Sequence, residues 1–289
     1  MNAPDSATIA AHDVEARVAA GGGDRDAVMI ELLSWAKSFA NVPVSGFAVG
    51  AVALGRSGAL YAGANLELAN LPLSASVHAE QAAVANAWLH GERGIGALAV
   101  NASPCGHCRQ FLNELGGAGA LRVLVPGMTP ATLAQLLPAS FGPADLGVEA
   151  RLLEPENHGL RADQGSRDAT SDASIGAPAD VLIDAALAAA NASYAPYTRA
   201  YAGIALRLRD GTIASGRYAE CAAYNPSLPA LQGALSALAL RRADFSLIVD
   251  AVLAEVPGPT SQRSVAGVAL RSLAGVALRY VAAAPGRNP

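Results

Sequence analysis

The chain has 289 residues, 52% of them hydrophobic and 15% charged, with a formal net charge of −4. That length accommodates two ordinary domains, and that composition supplies a sizeable core. The acidic balance, with no run of Lys or Arg, argues against a surface that tracks nucleic acid. Three cysteines make no disulfide framework and fit a reducing, cytoplasmic setting. No charge-free apolar run of about 20 residues suggests a membrane span. The first residues carry acids and no basic segment leading into an apolar one, so they do not read as a secretory signal.

Residues 1–23 read as a loose or partly helical arm ending at Gly21-Gly22-Gly23. From Asp26 to Phe39, apolar residues at Val28, Met29, Leu32, Leu33, Ala36 and Phe39 keep a helical period, with Asp24 placed as N-cap. FAVGAVAL (47–54) and ALYAGA (59–64) read as paired strands joined by a Gly-Arg-Ser-Gly turn. HAEQAAVANAWLH, from His78, is Ala-rich and stops at Gly91, which predicts a helix. A short strand at 97–101 runs into Ser103-Pro104, a helix-start signal, and CGHCRQFLNEL then reads as a helix. Next come a strand at 121–125, a helix opening at Thr129-Pro130 and the turn-like FGPADL at 141–146.

Between Glu154 and Pro178 the chain is polar and nearly free of large apolar residues, the composition of a flexible linker. Structure is expected to resume at Ala179 with an Ala-rich helix. The chain beyond that point repeats the first half. One shift of 153 residues (196 minus 43) sets Pro43 on Pro196, Gly50 on Gly203, Gly58 on Gly211, Gly63 on Gly216, Glu67 on Glu220 and Pro104 on Pro257. Chance similarity between two Ala/Gly-rich halves is the alternative, and six matches at one offset weigh against it. The division expected is 1–23 arm, 24–153 catalytic domain, 154–178 linker and 179–289 degenerate repeat.

The chemistry concentrates in His78-Ala79-Glu80 and Pro104-Cys105-Gly106-His107-Cys108. One imidazole and two thiolates are three protein ligands for zinc, and a catalytic zinc keeps its fourth position for water. Glu80, two residues from the His and not needed as a ligand, suits proton transfer. Both ligand sets lie at expected helix N-termini, whose positive dipole ends favour thiolates. A bare C-x-x-C would equally suit a redox pair or half of a structural zinc site; the upstream H-x-E weighs against both. His107 is a rival ligand, disfavoured because i and i+3 share a helix face while i+2 points away. At the shift of 153, His78, Glu80, Cys105 and Cys108 fall on Leu231, Gly233, Gly258 and Ser261. The second copy therefore has neither ligands nor acid/base, and one zinc per chain is expected.

H-x-E followed by P-C-x-x-C is the signature of zinc nucleobase deaminases. AGANLEL (62–68), VHAEQAAVANAWL (77–89), SPCGHCRQFLNEL (103–115), FGPADL (141–146) and, in the second copy, YAPYT with YAECAAYNPSLPALQGAL make the resemblance narrower. The chain resembles the long, two-repeat, homodimeric cytidine deaminases over about Asp26 to Leu153 and again from Ala179. The resemblance implies an α/β fold of two tandem α/β/α sandwiches with mixed central sheets. It implies that His78, Cys105 and Cys108 hold zinc and that Glu80 shuttles protons. It implies that Asn65 and Glu67 hold the ribose hydroxyls, that Phe47 packs on the pyrimidine, that the Ala79 backbone bonds the base, and that the Ser103 carbonyl receives the leaving amino group. Phe141 would reach a partner's active site in a homodimer. Read alone, Asn65 and Glu67 could equally cap the following turn, Phe47 could be core, and Phe141 could be an aromatic buried under a loop.

The activity implied is hydrolytic deamination of cytidine and 2′-deoxycytidine in pyrimidine salvage. Two alternatives remain at this level: a deaminase acting on a base in RNA or single-stranded DNA, and a non-catalytic zinc- or nucleoside-binding protein. The acidic charge, a Glu67 carboxylate that would oppose a 3′-phosphate, and the intact Glu80 favour the nucleoside enzyme. The longer linker and the N-terminal arm depart from the family pattern without touching the motif residues.

Overall fold

The computed structural model describes residues 6–163 and 180–286. The part of the expected linker from 164 to 178 lies outside the described residues. The chain divides into two compact units. The first runs up to Glu154 and also takes in Cys221–Ser227 and Ala239–Arg242; the second takes Pro155–Glu220, Leu228–Leu238 and the chain from Ala243.

In the first unit, strand β1 (Thr8–Ile9) precedes helices α1 (Ala11–Ala20), α2 (Arg25–Glu31) and α3 (Leu33–Lys37). Strands β2 (Gly50–Gly55) and β3 (Leu60–Ala64) come next, then α4 (Ala79–Leu89), β4 (Ile95–Val100), α5 (Gly106–Leu112), β5 (Arg122–Leu124), β6 (Ala131–Thr132) and α6 (Leu133–Leu136). The six strands form one mixed sheet, ordered β1-β3-β2-β4-β5-β6, in which only β4 and β5 run parallel.

Period-two alternation sorts the strand residues between two helical layers. Val52, Leu60, Ala62 and Ala64 join a buried cluster with Met29, Leu33, Trp35, Ala36 and Phe39 from the α2–α3 region. Gly63, between two of them, faces the other way, where α4 lies so close that a Cβ would meet the Ala83 nitrogen at 2.1 Å. Gly50 allows the same approach on the α3 side, with the Lys37 nitrogen 2.3 Å from a built Cβ. These glycines bring the helices onto the sheet. Leu240 also belongs to the first unit's core, and the Arg242 guanidinium lies 4.6 Å from the Phe39 ring centre while donating to the Ser38 carbonyl and hydroxyl at 2.9 and 2.8 Å.

In the second unit, β7 (Leu160–Ala162) and α7 (Val181–Asn191) precede β8 (Ala202–Leu208) and β9 (Ile213–Arg217). Helix α8 (Ala230–Ala239), β10 (Ile248–Glu255), α9 (Arg263–Ala274) and β11 (Leu278–Pro285) complete it. The sheet order is β7-β11-β10-β8-β9, again with one parallel pair, β10 with β11. A Cβ on Gly203 would meet the Ala190 nitrogen at 2.2 Å, at the offset of 153, and one on Gly216 the Ala230 carbonyl at 2.0 Å, where the helix residues are offset by 151 (230 minus 79), so the second helix places Pro229 and not Leu231 opposite His78. Both units thus have the mixed α/β architecture expected.

The structure departs from the sequence expectations at several edges. The single helix expected over 26–39 is two, because it breaks at Leu32 and restarts. Asp24 caps the first of them as expected, accepting from Asp26 and Ala27 N–H groups, a bond set that stabilises by about 1 kcal/mol. The arm contributes a strand as well as a helix: Thr8 and Ile9 pair with Tyr61 and Leu60. The Asn86 side chain in α4 ties this strand down by donating to the carbonyls of both Ala7 and Ala62. The expected linker is structured at its start, where Leu160–Ala162 pairs with Ala283–Pro285 on the sheet edge. Thr132, not Thr129, caps α6, its hydroxyl accepting from the Gln135 N–H.

Candidate metal and nucleoside site

Helices α4 and α5 start beside one another at one end of the first sheet. His78 is the residue before α4 and Cys105 the residue before α5, both with extended backbone; Cys108 lies inside the first turn of α5 and is fully buried. The His78 Nδ1 atom lies 3.4 Å from Cys105 Sγ and 3.2 Å from Cys108 Sγ, and the two sulfurs are 3.6 Å apart. Usual Zn–S and Zn–N lengths put tetrahedral ligand edges at about 3.8 and 3.6 Å. The donor triangle therefore fits one zinc with a fourth position free. Among the described residues this is the one group of three or more His, Cys, Asp or Glu side chains with such spacing.

The electrostatics agree with a metal site. The Cys105 thiol is pulled down to about 4, first by the hydrogen bond with Cys108 and then by the nearby His78. Cys108 is pushed up by that bond and by burial. The pair thus holds a proton that metal binding would release. Glu80, in the first turn of α4, is 4% exposed and hydrogen-bonded to Cys108, and burial raises its carboxyl above the ordinary value. A buried carboxyl whose pKa is raised by desolvation, beside an open metal position, is equipped to take up and return a proton.

His107 is not part of the donor triangle. Its ring packs against His78, centroids 5.2 Å apart, and its Nε2 donates to the Asn225 carbonyl at 3.2 Å. A carbonyl only accepts, so Nε2 carries the proton. Burial, then electrostatic interaction with neighbouring His78, hold the His107 pKa below its usual value.

The remaining expected residues lie on α4 and on loops. Ala79 is buried in the first turn of α4. Ser103 is exposed in the loop before Cys105, and Arg109 braces that loop by donating to the Pro104 carbonyl at 2.8 Å and, from its other arm, to Leu136 at 2.7 Å. Asn65 accepts from the Val49 N–H at 2.8 Å and donates to the Phe47 carbonyl at 2.9 Å. Glu67 accepts the N–H groups of Val44 and Ser45, both at 2.9 Å, and the Ser45 hydroxyl at 2.5 Å. The Ser45 hydroxyl and N–H bonds depress the Glu67 carboxyl below its usual value.

Asn65 and Glu67 thus staple the loop that carries Phe47. Phe47 is 61% exposed, so it is no core residue, and Phe47–Val49 do not extend β2 as expected. Phe141, at 48%, is exposed and not buried under its loop; its carbonyl accepts from Gln110 and Asn113 side chains. Sequence reasoning gave no role to Gln81 or Arg109. Each comes directly after a motif residue, and their side chains reach backbone carbonyls that no local pattern announces.

A model of the cytidine and deoxycytidylate deaminase zinc-binding region matches residues 24–123, and a second model of the same description matches 133–267. A cytidine deaminase of Serratia proteamaculans is 45% identical over 88% of this chain and 82% of its own length. One of Sodalis glossinidius is 47% identical over 86% and 80%. A solved cytidine deaminase of Mycobacterium tuberculosis, 36% identical, covers 40% of this chain and 96% of its own, with a TM-score of 0.37. With two tandem zinc-binding regions, of which, among the described residues, only the first carries the His/Cys/Cys triangle, the chain belongs to the cytidine deaminase family.

Proposed function

We propose that the protein hydrolyses cytidine and 2′-deoxycytidine to uridine and 2′-deoxyuridine with release of ammonia. The observation that carries this reading is the His78/Cys105/Cys108 triangle with a buried Glu80 carboxyl against it. Zinc held by these three residues supplies Lewis-acid chemistry that makes water a nucleophile near neutral pH.

Every other step belongs to the chain. Glu80 accepts a proton from the attacking water and delivers it to the ring nitrogen beside C4 as oxygen adds to that carbon. It then passes the remaining hydroxyl proton to the amino group. The C4–N bond breaks, ammonia leaves, and the water oxygen stays as the uracil carbonyl. The Ala79 backbone holds the base and the Ser103 carbonyl receives the departing amino group. Asn65 and Glu67 present the ribose hydroxyls with their remaining lone pairs and N–H, and Phe47 covers the ring. The exposure of Phe47 and Ser103 supports these roles.

We assign residues 24–153 as the catalytic domain and 179–289 as a non-catalytic repeat. The chain works as a cytoplasmic homodimer in which Phe141 reaches the partner's site; its 48% exposure supports that role. Reduced thiols at Cys105 and Cys108 suit the cytoplasm. No helix among the described residues is long and apolar enough to cross a membrane.

The test is the ultraviolet change on adding cytidine to purified protein, with ammonia and zinc measured on the same sample. Loss of the cytidine absorbance, with one ammonia per nucleoside and one zinc per chain, is the expected result. No turnover at full zinc occupancy would overturn the reading.

A further inference from the structure

The zinc ligands hang on the first turns of two helices that no covalent bridge joins. One segment touches both helices: Cys221–Ser227, which lies in the second sequence repeat but in the first compact unit. Gln81, buried at 2% exposure next to Glu80, donates Nε2 to the Pro226 carbonyl at 2.9 Å. Its other end, Oε1, lies 3.4 Å from the His78 N–H. On α5, His107 donates to the Asn225 carbonyl and packs at a tilt against the ring of His78. Just beyond α5, the fully buried Glu114 accepts from the Ala222 N–H at 2.8 Å. The Cys221 thiol adds a 3.6 Å contact to the Gln110 carbonyl.

The segment is stiff enough to act as a template. Its ends are joined by a bond from the Cys221 N–H to the Ser227 hydroxyl at 2.9 Å. Inside it, Tyr224 donates to the Cys221 carbonyl and Ser227 to the Tyr224 carbonyl, at 2.8 and 2.9 Å. Its backbone carbonyls at 225 and 226, not its side chains, meet Gln81 and His107, so the contact depends on the loop's shape.

Groups that orient metal ligands from behind change metal affinity or activity by about 10–100-fold when removed. We propose that Cys221–Ser227 is a brace that sets the geometry of the His78/Cys105/Cys108 site, with Gln81 and His107 as positioning residues that transmit it and Glu114 as its anchor. The zinc-free repeat would then serve the deamination proposed above without touching the reacting atoms.

The experiment uses the full-length, zinc-loaded chain. Gln81→Met keeps length but removes the donor; His107→Phe keeps a ring against His78 but removes the bond to Asn225. Glu114→Leu removes the anchor and Glu114→Gln restores an acceptor. For each, zinc release to excess chelator is timed without nucleoside, and kcat, KM and melting temperature are measured. The expected result is release about 10-fold or more faster and a similar loss of kcat for Gln81→Met and His107→Phe, with KM within about twofold. Glu114→Gln should stay near wild type. Release and kcat unchanged within about twofold in both Gln81→Met and His107→Phe, whatever the melting temperature, would overturn the brace. Should Glu114→Leu fail to fold, those two variants decide. A wild-type chain that failed to turn over cytidine would overturn the function, and the release rates would still judge the brace.

Discussion

Glu67 and Glu220 occupy equivalent positions in the two repeats and make the same three bonds. Glu67 accepts two successive N–H groups and a hydroxyl from Val44 and Ser45; Glu220 accepts them from Tyr197 and Thr198, the backbone pair at 3.0 and 3.1 Å. The second repeat, which shows no His/Cys/Cys group among its described residues, has kept the staple, so loop closure is a duty of this glutamate separate from any nucleoside contact. Glu220→Gln is therefore expected to lower the melting temperature while kcat/KM of the folded fraction stays within about twofold. Glu67→Gln should lower the melting temperature and also raise KM for cytidine, which steady-state kinetics on both variants would separate.

Glu80→Gln keeps size and polarity but cannot carry a proton. A loss of about 10²–10⁴-fold in kcat is expected, with zinc content unchanged by metal analysis. Full activity in this variant would remove Glu80 from the proton path.

Replacing Cys108 with Ser removes a fully buried ligand, whereas His107→Phe leaves the donor triangle whole. Zinc per chain should fall well below one for Cys108→Ser and stay at one for His107→Phe. Equal loss in both would make His107 a ligand after all.

Asp180 caps α7 through the N–H groups of Leu182 and Ile183 and pairs with Arg279. Burial raises its carboxyl, but the bonds from Arg279 outweigh that and the net shift is downward. A carboxyl depressed by folding stabilises the fold above its unfolded pKa, and that contribution is lost as pH falls through the lower folded value. Asp180→Asn keeps the cap but loses the ion pair, so it should cost up to about 1 kcal/mol at pH 7 and show a flatter loss of stability below about pH 4 than wild type in denaturant titrations.

Gly63→Ala and Gly216→Ala would each drive a methyl into helix backbone about 2 Å away. Destabilisation of about 3 kcal/mol or failure to fold is expected. Gly96→Ala, on a strand with open space around it, should change stability by less than about 0.5 kcal/mol.

The zinc triangle and Glu80 were legible because ligand chemistry demands particular residue types at particular spacings. The glycines at 50, 63, 203 and 216 were legible as a repeat because a backbone approach tolerates no side chain. Phe47–Val49 misread as strand because their hydrophobic pattern suits one. The Asn65 side chain instead takes the Val49 N–H and Phe47 carbonyl that a neighbouring strand would have used. The Gln81 bond to Pro226 was not legible at all, since it spans 145 residues and ends on a backbone carbonyl, which no residue type marks.

The presence of Leu240 in the first unit's core, with Arg242 laid over the Phe39 ring, has an evolutionary consequence. Once a duplicated copy lends residues to its neighbour's interior, a deletion that trims the idle copy opens the working one to solvent. On the assignment proposed above, selection then preserves a half with no chemistry of its own, and the duplication behaves as a ratchet: the second gene segment is free to shed ligands but not to disappear.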